Sequence, residues 1–163
     1  MTTRQRITKG DVFEVPLKGN IKGYFQYMMI DETQLNSEVI RVFKDKFEMN
    51  QTINLEDLQK SKIDFYAHVN IKLGIKMSLW CKIGNLKIPT NLERPRFRDS
   101  LDYGNPEVTT SEEWYIWELN KDFEKVGILN DEQKGYDIGI VVTPPDIVEK
   151  MNSGKYSFVY PTY

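Results

Sequence analysis

The sequence predicts an α+β fold, mostly antiparallel β, with a strongly bent or barrel-like sheet, one C-terminal helix at about 144–153 and a short helix near 54–60. Three observations predict it. Apolar residues recur with period two along most of the chain, the spacing that lays side chains on one face of a strand. Aromatics make up 12% of the residues, with 9 tyrosines and 8 phenylalanines, types that favour strands. One segment near the end carries the start and stop signals of a capped helix.

Taken in order, Asp11 to Leu17 reads as a strand with Phe13, Val15 and Leu17 on one face, closed by a Lys18-Gly19-Asn20 turn. Tyr24 to Ile30 is apolar on both faces and fits a central strand, and Glu38 to Phe43 is a further short one. Asn54 caps a helical turn running into Leu58. From Ile63 to Leu79 every odd position is apolar: Ile63, Phe65, Ala67, Val69, Ile71, Leu73, Ile75, Met77 and Leu79. A straight strand of that length would span over ~50 Å, more than the ~30–40 Å width of a domain this size. The segment must bend or turn back, with Gly74 as the candidate hinge, and the persistent odd parity favours a bent strand, a bulge or an odd-numbered loop over a two-residue hairpin. Residues 85–113 hold Pro89, Pro95 and Pro106 and read as a long surface connection with one short strand. Glu113–Leu119 and Tyr136–Val142 are strands. Thr143-Pro144-Pro145-Asp146 opens the helix, Ile147, Val148 and Met151 give it an apolar face, and Gly154 ends it. Lys155–Tyr160 closes the chain as a strand.

The 163 residues fit a single domain with a sizeable core. The net charge of −2 provides no global positive field to hold nucleic acid by its phosphates. The polar N-terminus (MTTRQRITKGD) lacks the apolar core of a signal peptide, and no apolar run approaches the ~20 residues of a membrane helix. With one cysteine, Cys81, no intramolecular disulfide exists, so the expectation is a cytoplasmic protein.

Catalytic side chains are scarce. A zinc site needs about four nitrogen or sulfur ligands, and only His68 and Cys81 are on offer. His68 lies on the polar register of its strand and reads as solvated or hydrogen-bonded, whereas Cys81 falls in the apolar register and reads as core. Asn152-Ser153-Gly154-Lys155 lacks the first glycine and the hydroxyl of a phosphate loop and reads as a helix stop. Adjacent acids such as Glu112-Glu113 point to opposite faces of a strand, so their adjacency does not make an acid–base pair. These observations favour a binding protein without cofactor or metal over an enzyme. A carboxylate-dependent hydrolase is the reading that a closed pocket of acids would support instead.

Charge is segregated. Residues 1–98 carry 17 basic and 11 acidic side chains, residues 99–137 carry 3 and 11, and residues 138–163 carry 2 and 2. The acidic stretch also holds Trp114, Tyr115 and Trp117. Charge blocks are most often solvated faces around core aromatics. The alternative is a negative surface with aromatic anchors that binds a basic protein. On that reading the partner-binding residues are Glu112, Glu113, Trp117, Glu118, Asp122 and Glu124. Trp114 and Trp117 have opposite parity, so one belongs to the core and the other is free for the surface. A rival reading is a small barrel that binds nucleic acid or peptide through a basic-aromatic groove of Arg94, Arg96, Phe97 and Arg98, although these arginines can equally pair with the acids that follow.

The stretch Gly10-Asp11-Val12-Phe13-Glu14-Val15-Pro16-Leu17 with Gly23-Tyr24-Phe25, and the later Trp80-Cys81-Lys82-Ile83-Gly84, resemble the bacterial immunity protein family numbered twenty-six, found beside polymorphic toxins. The resemblance implies that the chain protects its producing cell by binding a cognate protein toxin, often a nuclease, and blocking it. It assigns no contact residues.

Overall fold

The computed structural model describes residues 5–163; residues 1–4, the start of the polar N-terminal segment, lie outside the described residues. Eleven strands form two sheets among these residues, seven pairings antiparallel and two parallel. β1 (Asp11–Leu17), β2 (Ile21–Asp31), β3 (Ser37–Phe43) and β5 (Ile63–Val69) make the centre of the larger sheet, in the order β5-β3-β2-β1. β6 (Cys81–Asn85) extends it beyond β1, β11 (Val141–Val142) extends it beyond β5, and β4 (Phe47–Glu48) pairs with β2. The smaller sheet runs β10 (Asp137–Ile138), β7 (Arg96–Ser100), β8 (Trp114–Glu118), β9 (Glu124–Gly127). Neither sheet closes on itself, so the barrel expected from the long alternating segment does not form.

The alternation seen in the sequence explains the layers. Phe13, Val15, Phe25, Tyr27, Ile40, Val42, Phe65, Ala67 and Val69 point to one face of the larger sheet. There they pack against Ile147 and Met151 of α2 (Pro144–Ser153) and against Ile71 and Trp80. The other face is also covered. Leu58 and Leu86 lie over Val12, Tyr24 and Phe43, and the smaller sheet lies over Met28 and Val39. This two-sided cover is why β2 is apolar on both faces.

The capped segments form as their residues dictate. Asn54 accepts the Glu56 N–H (3.1 Å) ahead of a 3₁₀ turn over Leu55–Lys60. Thr143 Oγ1 accepts the Asp146 N–H (3.3 Å), Pro144 takes the first helical position, and Gly154 ends α2 at φ +85°, where a side chain would be strained.

Four expectations need correction. The odd-numbered run does not continue as a bent strand through Gly74. It stops at Val69, and Asn70 Oδ1 accepts the Leu73 N–H (3.0 Å) to open α1 (Ile71–Lys76). Within that helix the alternation no longer marks a face, and Leu73 and Met77 are exposed. Gly74 is used for contact, not bending: a Cβ built there overlaps the Trp80 ring. That ring meets Phe25 edge-on at 5.0 Å and donates its Nε1–H to the Ile71 carbonyl (3.0 Å). Because the helix resets the register, Cys81 is exposed at the start of β6 and not core. Tyr136–Val142 is not one strand. It pairs with β7 as β10, passes Gly139 and joins β5 as β11, so it bridges the two sheets. Residues 155–160 keep the alternation, with Tyr156, Phe158 and Tyr160 half-buried, but pair with no strand; the C-terminal segment is held by core packing of Tyr156 and Phe158, the Tyr160–Asp99 hydrogen bond (2.7 Å) and an isolated β-bridge between Thr110 and Thr162. Among the described residues, no helix is long and apolar enough to cross a membrane.

Candidate functional site

The smaller sheet positions the acidic segment. β7 and β8 pair Arg96 with Glu118, Phe97 with Trp117 and Arg98 with Ile116, and β9 sets Glu124 opposite Ile116. Strand alternation then sorts these side chains. Phe97, Tyr115 and Trp117 turn inward to the larger sheet, while Arg96, Ile116, Glu118 and Glu124 turn outward.

The inward side is a locked polar–aromatic cluster. Asp31, at the end of β2, accepts the Trp117 Nε1–H (2.9 Å) and the His68 ring nitrogen Nε2 (2.9 Å) on the same oxygen. Its second oxygen accepts the Gln34 N–H (3.1 Å). His68 and Asp31 are fully buried, and the imidazole lies 4.4 Å from the Phe97 ring. Burial holds the His68 pKa below its ordinary value, against the opposing pull of Asp31. The neutral ring therefore donates from Nε2, and Nδ1 has no partner among the described residues. Of the two readings its polar register left open, solvated or hydrogen-bonded, His68 takes the second, and it does so fully buried. It stands four strands from the Cys81-bearing edge, about 19 Å at the usual spacing. The two make no common site. Among the described residues no three His, Cys, Asp or Glu side chains gather as metal ligands.

On the outward side a shallow groove of about 290 Å³ runs over Ile116, bounded by Arg96, Glu118, Asp122, Glu124 and Tyr136. It brings three of the five expected acids together. Glu112 and Glu113, both exposed, stand at the opposite end of β8. Trp117 is not available to a partner, since only 4% of it is exposed. Trp114 is buried too: Arg98 and Tyr160 cover it at 5.0 and 6.0 Å on the other side of the sheet. Opposite parity did send the two tryptophans to opposite faces, but each face is covered where they emerge.

A basic-aromatic groove does not form. Phe97 is fully buried. Arg98 donates Nε–H to the Tyr136 carbonyl (3.1 Å) and is packed against Trp114 and Tyr163. Arg96 bonds Glu132 (3.0 Å) and approaches Glu118 (4.0 Å), the pairing with neighbouring acids that the sequence left open. Arg94 reaches the Leu119 carbonyl (3.5 Å). A second cleft, about 260 Å³, shares Arg96 and Tyr136 with the groove and holds Tyr66 and Asp137. Burial pushes the Asp137 pKa up to about 6, with the Tyr66 N–H, Lys150 and Arg98 opposing.

Two exposed apolar residues at the ends of β9 escaped the sequence reading. Phe123 is 48% exposed and Ile128 69%. The signal was an isolated apolar residue inside a charged run, Lys121-Asp122-Phe123-Glu124-Lys125, where no core period accounts for it.

Compared with known proteins, the family model described as Immunity protein 26 matches residues 8–107, more than half of the chain. The matched span runs from β1 through β7 and ends before β8 and β9. No curated protein and no solved structure matches.

Proposed function

The chain belongs to the Immunity protein 26 family, and from that premise we propose that it binds a cognate bacterial protein toxin and neutralises it by covering the toxin's working surface. The family match is the observation that carries this reading. The charge of the smaller sheet supports it: Glu112, Glu113, Asp122 and Glu124 are exposed, and Glu118 lies half-buried in the groove. Charges so placed accelerate encounter with a basic partner and exclude acidic ones. A nuclease target fits best, because an enzyme that holds phosphates carries a basic surface. The protein would act in the cytoplasm of the producing cell and by occlusion, without bond chemistry of its own.

The test is to search the gene's neighbourhood for a protein with a C-terminal toxin domain and to co-express that domain with this chain. The wild-type chain restores growth. A variant with Glu112, Glu113, Glu118, Asp122 and Glu124 all changed to Lys keeps its fold by circular dichroism but fails to protect. Failure of the wild type to protect or bind removes the reading.

A further inference from the structure

We propose that β9, the open edge of the smaller sheet, docks a basic protein surface through two apolar contacts at its ends, Phe123 and Ile128; the identity of that partner as a toxin rests on the function proposed above. Phe123 is half-exposed yet held. Its ring meets Tyr115 edge-on at 5.4 Å, and Tyr115 stacks on Trp117 at 5.8 Å. Tyr115 also donates its hydroxyl to Asp99 (2.8 Å), and Trp117 is tied to Asp31 (2.9 Å). An exposed aromatic braced in this way loses little rotamer freedom on binding, which is what makes an anchor efficient. Ile128 is the other exposed end. It follows Gly127, which pairs with Trp114 and lies beside the Glu112 carbonyl. The two apolar contacts are five residues apart, roughly 17 Å along an extended chain.

The five acids therefore divide around the two apolar residues. Glu118, Asp122 and Glu124 line the groove over Ile116 at the Phe123 end of β9, on the face opposite the Tyr115 ring that braces Phe123, and Glu112 stands at the Ile128 end with Glu113 next to it. From residue 112 to residue 132 seven acids stand against two lysines. That balance selects the occupant. A second copy packed symmetrically on this edge would set like charges against each other, and an anionic membrane would be repelled. A basic protein surface with apolar pockets complements both features. Strand addition is disfavoured, because β9 has only four residues, carries Lys125 and is irregular opposite Trp114 and Tyr115. Docking is therefore by side chains.

The experiment measures binding kinetics, at low and physiological salt, against the catalytically inactivated form of the toxin domain that the co-expression test identifies. Phe123→Ala raises Kd about 30-fold, the size of an interface hot spot, through faster dissociation with an unchanged association rate. Phe123→Leu recovers part of the loss, and Val159→Ser, a change at another exposed apolar residue, has no effect. The set Glu118→Gln, Asp122→Asn, Glu124→Gln slows association and flattens its salt dependence. If Phe123→Ala and Ile128→Ser both leave Kd within twofold while the wild type binds tightly, the anchor proposal falls and the function stands. If the wild type does not bind, both fall. A concentration-dependent dimer in sedimentation that Phe123→Ala abolishes would identify a second copy as the occupant and overturn the proposal.

Discussion

Asp31 is a fully buried polar link between the two sheets, beside the Tyr66–Asp137 hydrogen bond, and its removal has a calculable cost. In Asp31→Ala the Trp117 indole N–H loses its acceptor inside the protein. His68 cannot escape by changing tautomer, because Nδ1 is buried and also without a partner, so one ring N–H is stranded either way. Two stranded donors cost about 1–3 kcal/mol each. Relief from burying a carboxylate offsets part of this, leaving about 2–4 kcal/mol of destabilisation. With a urea slope near ~2 kcal/mol/M, the unfolding midpoint falls by ~1–2 M. Trp117→Phe alone removes one hydrogen bond to a carboxylate, worth about 1.5–3 kcal/mol, and the double-mutant cycle between the two substitutions returns a coupling of that size. A midpoint shift below about 0.3 M, or no coupling, would refute the assignment of Asp31 as an inter-sheet lock.

Further predictions follow from the same contacts. Gly74→Ala and Gly139→Ala each drive a methyl into a tryptophan ring, Trp80 and Trp117 respectively, and chemical denaturation is expected to show losses of about 1–3 kcal/mol or more. Thr143→Ala removes the α2 cap and lowers stability by about 1 kcal/mol, measured by thermal melting. His68 has a depressed folded pKa, so below the unfolded value near 6.5 the unfolded chain binds more protons. Stability is therefore full above that pH and declines as pH falls toward the folded value. Asp137 has the opposite sign: its folded pKa is raised to about 6 from 3.8. Its contribution is present below 3.8 and is lost as pH rises through about 6. Asp137→Asn removes that loss, so its urea midpoint stays level from pH 4 to 6 apart from the His68 slope.

Much of the fold was legible because it depends on local physics. The first strand has the boundaries its alternation gave, and α2 runs from Pro144 to Ser153 because a hydroxyl cap, a leading proline and a trailing glycine act within one or two turns. The Asn54 cap was readable for the same reason. The α1 error shows the limit. Asn70 could cap a helix or sit on the polar face of a strand, and the local pattern does not choose between them; in the structure it caps α1, with the Trp80 ring packed on Gly74. Of the candidate site, the acids were legible as a charge block. Their division between the two ends of β9 was not, because it depends on which strands pair.

The sequence by itself determined the strand faces, the capped helix, the segregated charge and the resemblance to an immunity family. Each of these is a property of neighbouring residues or of composition. The tertiary structure decided what covers each face. It buried His68 and all three tryptophans, exposed Cys81, and left Phe123 and Ile128 at an open edge. Alternation tells a side chain which way to point, but whether it meets water or another sheet depends on contacts between residues far apart in the chain, such as Asp31 and Trp117.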